Sequence, residues 1–245
     1  MQPGKAAEEG GRAHNNSRSF INGLIVIKLG VAPFIATLGT MYICRGFANL
    51  RSGGTTFSNL KGYEGLGNVG LKVLGSNIAG IPTGVYISAV LAIISAILLK
   101  KMPIGWYILA VGGNEKSARL SGIKADSVKI FVYAVSGFCA AWVGLINTAQ
   151  LSAAHPASGD GWEMNAIAAT VLGGTSMAGG SGTIVGTIVG AFVIGVINDG
   201  MTMCGVSEFW QKVIRGFVII LAVVIDQTQR NLQAKMALQA RNENK

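Results

Sequence analysis

Few residues in this chain have the types and spacing that covalent chemistry needs. His155, Asp160 and Glu163 share one stretch, SAAHPASGDGWE over residues 152–163. As an acid–base or metal group they are a poor set, since one imidazole stands in an open polar loop with no second histidine nearby. They read better as a rim that meets something outside. The run GGTSMAGG at 173–180 has the glycine density of a phosphate-cradling loop, but it lacks the Gly-Lys-Ser/Thr ending, and GxxxxGK[ST] occurs nowhere in the chain. Nucleotide binding by this chain is not expected. The cysteines, Cys44, Cys139 and Cys204, are odd in number and have no metal-ligand spacing, so they read as small packing residues. No catalytic residue, cofactor or metal is expected. Asn165 and Asn198 are polar groups near the ends of apolar runs. Their amides can offer hydrogen bonds to a neutral hydroxylated solute, with bonding between helices as the alternative. Thr175 and Ser176 join them as candidate pathway residues if the Gly-rich stretch leaves unwound backbone lining a cavity, the alternative being a tight turn.

These groups must be positioned by membrane-spanning helices. Half of the 245 residues are apolar, only 13% are charged, and glycine is abundant at 35 residues. Uncharged runs cover 81–99, 130–151 and 164–198, longer than a soluble domain of this size could hide. The fold class expected is all-α, a polytopic helical membrane protein with about six spans after Pro33. The net charge of +9 does not suggest nucleic acid, because ten of the twenty Lys and Arg residues lie in 100–129 and 226–245. Such clusters hold loops in the cytoplasm, helped by anionic lipid of the bilayer.

In chain order, residues 1–19 form a polar leader expected to be disordered, or a mis-set start. The apolar segment 20–29 is too short to span and reads as the end of a span whose beginning is missing. Gly30 and Pro33 break the chain and open a helix to about Leu50. Residues 51–81 make an external loop, and spans follow over 82–99 and 130–151. The 35 residues from Met164 to Asn198 fit two spans joined by a Gly-rich hairpin at 173–183, and a last span covers 209–225. The membrane-spanning body is thus expected over 20–225, with a cytoplasmic loop at 100–129 and a basic cytoplasmic tail at 226–245. Gly182, Gly186, Gly190 and Gly195 form a small-residue stripe for close packing against a neighbouring helix of the same chain, or against a second copy. No Asp, Glu or His lies mid-span, which weakens any proton- or sodium-coupled mechanism.

Within the basic loop lies GGNEKSARLSGI, residues 112–123. Glu115 to Leu120 can form about a turn and a half of helix, with Gly112, Gly113 and Gly122 breaking it at both ends. A helical knob at the cytoplasmic face is a surface for docking a partner, the alternative being an ordinary solvated connector.

Three blocks in order, VAPFIATLGTMYICRG (31–46), AVGGNEKSARLSGI (110–123) and AIAATVLGGTSMAGGSGTIVGTIVGA (166–191), resemble the membrane permease subunits of bacterial ABC sugar importers. The likeness is to the ribose/xylose-type branch, related to the branched-chain amino-acid permeases, and runs from about Asn22 to Ile225. It implies a second permease subunit completing the pore, a cytoplasmic ABC ATPase subunit that hydrolyses the ATP, and a periplasmic sugar-binding protein. It also implies that Gly112, Gly113, Asn114, Ala118, Arg119, Ser121 and Gly122, with Glu115 opening the helix, form the loop that couples to the ATPase. Family members are usually longer by several N-terminal spans. The expectation is an inner-membrane importer subunit for a monosaccharide, a pentose such as ribose or xylose. A secondary transporter of a small neutral solute and a truncated, non-functional permease remnant are the alternatives.

Overall fold

A computed structural model describes residues 19, 21–58, 73–218, 220–221, 223–224 and 227–228. Nearly all of the expected polar leader, residues 59–72 of the expected external loop and nearly all of the basic tail lie outside the described residues. The chain divides into two compact units, Met1–Ile94 with Gly122–Ser158, and Ser95–Ser121 with Gly159–Lys245.

The first unit opens with helical residues 21–29, which end at Gly30 in the left-handed region (φ 64°). Helix α1, Pro33–Ser52, starts with proline in its first turn and stops at Gly53, also left-handed, whose N–H returns to the Asn49 carbonyl. Strand β1 (Phe57–Ser58) pairs antiparallel with β4 (Ala153–Ala154). Strands β2 (Asn77–Ile78) and β3 (Ile81–Pro82) form a two-residue hairpin. Its central pair, Ala79 and Gly80, has positive φ at both positions, as the twist of a tight hairpin requires. Helix α2, Thr83–Lys101, belongs to this unit through Ile94 and to the second from Ser95; it ends on Lys100 and Lys101, where cations complement the helix dipole. Helix α5, Ala125–Leu151, approaches α2 closely at Gly84, where a Cβ would stand 2.8 Å from Ile146 Cγ2.

The second unit holds α3 (Pro103–Gly113), α4 (Glu115–Leu120), α6 (Trp162–Leu172), α7 (Ile184–Met203) and a helical segment over 208–218. Its small core is Ala168, Ala169 and Ile194, with Val218 packed against it. Among the described residues, α2, α5 and α7 are long and apolar enough to cross a membrane. Their outer faces carry large apolar side chains open to the surroundings, such as Ile93, Val189 and Phe192. That pattern suits lipid and not water. The fold is that of a polytopic helical membrane protein.

The stretch 164–198 differs from the expected pair of full spans. Helix α6 has only 11 residues, about 16 Å of helix against a hydrocarbon core of about 30 Å. Thirty-five residues cannot hold two full-length spans and a hairpin. The chain resolves this with one half-length helix, an open hairpin and one full-length helix, α7.

Candidate functional site

Helix α4 occupies the residues expected of the docking knob, Glu115–Leu120, but the way it is delimited differs from the expectation. Gly112 and Gly113 do not break the chain; α3 runs through both. The break falls on Asn114, whose backbone is extended (φ −155°, ψ 98°). Asn114 N–H donates to the Ala110 carbonyl (3.1 Å), closing α3, while its Oδ1 accepts from Ser117 N–H (3.0 Å), opening α4. One residue is thus the last acceptor-satisfier of one helix and the N-cap of the next. At the far end Ser121 N–H and Oγ both donate to the Ser117 carbonyl, at 3.0 and 3.1 Å, and Gly122 turns the chain with φ 84°.

The side chains of α4 sort into two sets. Ala118 is buried, whereas Arg119 forms an exposed i,i+4 pair with Glu115 at 2.9 Å, the guanidinium donating to Oε1 through both Nε and an Nη. Leu120 is 90% exposed. The sequence reading missed this open leucine. The signal was available: in a six-residue helix, an apolar residue two places after a buried alanine falls on the opposite side.

The glycines at the end of α3 serve a close approach. Gly112 and Gly113 lie against Gly179 and Gly180 of the 173–183 hairpin: a Cβ on Gly180 would stand 2.8 Å from Gly113 Cα, and one on Gly113 3.4 Å from Gly180 Cα. The hairpin is held by Gly173 N–H on Ala169 O (2.9 Å) and by Ser176 N–H on Ser181 O (3.0 Å). Thr183 caps α7 by accepting from Gly186 N–H at 3.1 Å. The Gly-rich run is therefore an ordered turn whose bare backbone meets α3, immediately before α4.

The small-residue stripe divides. Gly186 packs against the backbone of Gly173, the residue that caps α6, Gly190 against that of Ala169 and Gly173, and Gly182 meets Thr175. Gly195 has nothing within 4 Å.

The four candidate pathway residues fall into two places. Thr175 and Ser176 sit in the hairpin, the Thr175 hydroxyl 3.5 Å from that of Thr187. Asn165 and Asn198 share a cleft with Arg215, its other walls being aliphatic. Arg215 is a cation inside the expected last span; its presence in an apolar run was legible and its partners were not. It donates through Nε to Asn198 Oδ1 (2.9 Å) and through an Nη to Gln211 Oε1 (3.2 Å). Gln211, itself buried, is fixed by donating to Val206 O (2.9 Å) and toward Thr202 Oγ1 (3.5 Å). His155, by contrast, serves its own turn, its Nδ1 accepting from Ala157 N–H at 3.0 Å. Among the described residues no three His, Cys, Asp or Glu side chains gather where they could hold a metal ion.

Comparison with known proteins identifies the family of this chain. Residues 17–223 match the family described as branched-chain amino acid transport system / permease component. The ribose import permease protein RbsC of Bacillus subtilis (strain 168) is 43% identical over 208 residues, 84% of this chain and 63% of the relative. RbsC of Escherichia coli (strain K12) is 40% identical over 217 residues, 86% of this chain and 65% of the relative. The xylose transport system permease protein XylH of Haemophilus influenzae is 42% identical over 151 residues, 62% of this chain and 40% of the relative. The chain thus spans somewhat less than two thirds of the length of the ribose permeases it matches. No solved structure matches it. With nearly its whole apolar body covered by one family model, the chain belongs to the branched-chain amino acid transport system permease-component family.

Proposed function

We infer that this chain is the transmembrane subunit of an ATP-driven importer that carries a monosaccharide, a pentose such as ribose or xylose, across the inner membrane. The observation that carries this reading is α4: a capped six-residue helix with an exposed ion pair and a 90% exposed leucine at its tip, in a loop rich in Lys and Arg. A basic loop of this kind stays on the cytoplasmic side, and its exposed face suits a cleft on a separate ATPase subunit. The basic tail shares that side. Relatives named for ribose and xylose support the cargo class.

In this mechanism the chain performs no covalent chemistry. ATP hydrolysis on the ATPase subunits displaces α4 and tilts the spans between inward- and outward-facing states. A second permease subunit completes the pore, and an external sugar-binding protein supplies selectivity, so the pore need hold its cargo only weakly.

Charge reversal at the helix tests the coupling. Arg119→Glu removes the Glu115 pair and sets two carboxylates four residues apart, which costs the helix only a few tenths of a kcal/mol. Ribose uptake per ATP hydrolysed should fall in vesicles carrying the assembled complex, with membrane insertion unchanged. The double variant Arg119→Glu, Glu115→Arg restores the ion pair with reversed polarity and should stay uncoupled. Unaltered uptake in both variants would remove Arg119 from the docking face.

A further inference from the structure

Helix α3 is apolar and too short to cross a bilayer, yet it follows directly on a span. Helix α2 has 19 residues, about 28 Å of helix against a hydrocarbon core of about 30 Å, so its last residues reach headgroup level. The chain turns a tight corner there. Gly105 N–H donates to the Met102 carbonyl (3.0 Å), and a Cβ on Gly105 would run into Leu99 O and stand 2.6 Å from Leu98 O, among the last carbonyls of α2. From that corner α3 continues for 11 uncharged residues, about 16 Å, which cannot reach the opposite face. It stops at Asn114, where the charged helix α4 begins.

The two sides of α3 differ. On one side Gly105 and Val111 are buried, and the end of the helix rests on the bare backbone of Gly179 and Gly180. The other side consists of Pro103, Trp106, Tyr107 and Ala110, spaced by three and four residues and all exposed, Trp106 by 66% and Tyr107 by 44%. No charged residue falls between Met102 and Asn114, while Lys100, Lys101 and Lys116 flank the run. An indole and a phenol on an apolar face, bracketed by lysines at the level where a span ends, compose a segment that lies in the membrane–water interface. Such rings lay their apolar bodies against acyl chains and keep their N–H and O–H groups among the headgroups.

We propose that α3 is an in-plane membrane anchor. Its Trp106–Tyr107 face seats in the headgroup–acyl boundary of the leaflet where α2 ends, and the flanking lysines meet lipid phosphates. Continuity favours lipid over a protein partner as the occupant: the face starts at the end of α2, whose exposed side chains, Ile97 among them, already suit hydrocarbon. The anchor holds α4 at the membrane surface, because Asn114 closes one helix and caps the other. The seat follows from the membrane fold and needs neither cargo nor ATPase, so its failure would leave the importer reading standing.

The test places the full chain in liposomes with Trp142→Phe, Trp162→Phe and Trp210→Phe, so that Trp106 alone reports. Its emission should fall about twofold in phosphatidylcholine brominated close to the headgroup, fall less with bromine near the bilayer centre, and respond weakly to aqueous iodide. Strong iodide quenching with none from either bromolipid overturns the proposal. Insensitivity to all three quenchers does so too, since protein then covers the face, and so does strongest quenching from the bilayer centre. Addition of the ATPase subunit should leave the bromolipid quenching in place; its loss would give the face to that partner. If the single-tryptophan chain fails to insert, Ala110→Cys on a background without the native cysteines carries a spin label on the same face. Its collisions with oxygen should exceed those with a water-soluble nickel chelate about threefold or more, the reverse of Lys116→Cys on α4. Nickel collisions equal to those at Lys116→Cys, or protection from both reagents, also overturn it.

Discussion

Gly112 and Gly180 meet backbone to backbone: a Cβ on Gly112 would stand 3.0 Å from the Gly180 nitrogen, and Gly180 holds φ at +81°. The end of α3 and the hairpin between α6 and α7 therefore touch through four residues without side chains, two residues before α4 begins.

Gly180→Ala tests that junction. An alanine there bears two penalties, about 1–2 kcal/mol for the left-handed backbone and a 2.8 Å encounter with Gly113 Cα. Gly54 is the matched control, with φ +73° and nothing within 4 Å. Thermal unfolding in detergent should show Gly54→Ala losing only the backbone term and Gly180→Ala losing at least twice as much. Equal losses would mean that the hairpin does not bear on α3.

The glycine stripe should separate in the same assay. A methyl group at Gly190 would run into the Ala169 carbonyl and stand 2.9 Å from Gly173 N, both backbone atoms that cannot swing aside. Gly190→Ala should destabilise the α6–α7 pair by about 2 kcal/mol or more. Gly195 is helical with open space around it, so Gly195→Ala should be neutral or stabilise by about 0.5–1 kcal/mol through lower backbone entropy in the unfolded state. A Gly195→Ala chain that is stable alone and fails to form the complex would place Gly195 at the second subunit.

Leu120 should behave as a docking anchor. Its side chain is open in this chain, so Leu120→Ala should leave the stability of the isolated permease unchanged. Burial of a leucine in a partner contributes about 1.5–3 kcal/mol, so the same change should weaken capture of the ATPase subunit about tenfold or more. Capture measured at graded ATPase concentrations decides it; unchanged capture would turn the exposed leucine into an ordinary surface residue.

Much of this was legible in one dimension. Uncharged runs longer than 18 residues identify membrane helices, because every apolar residue added there lowers the free energy of insertion whatever its neighbours are. The helix Glu115–Leu120 was legible by the same local reasoning, from a short polar run between glycines. Pro33 at the head of α1 was readable because its effect is on its own backbone. What the tertiary structure decided depends on residues far apart in sequence. A pair of glycines signals freedom or closeness, and sequence cannot say which; only the fold brings Gly112 and Gly113 onto Gly179 and Gly180, and makes close approach their use. Likewise Asn165, Asn198 and Arg215 are three isolated polar residues in the sequence. The antiparallel course of α6, α7 and the following helix sets them around one cleft, because contact energies act across space while composition and periodicity are properties of neighbours along the chain.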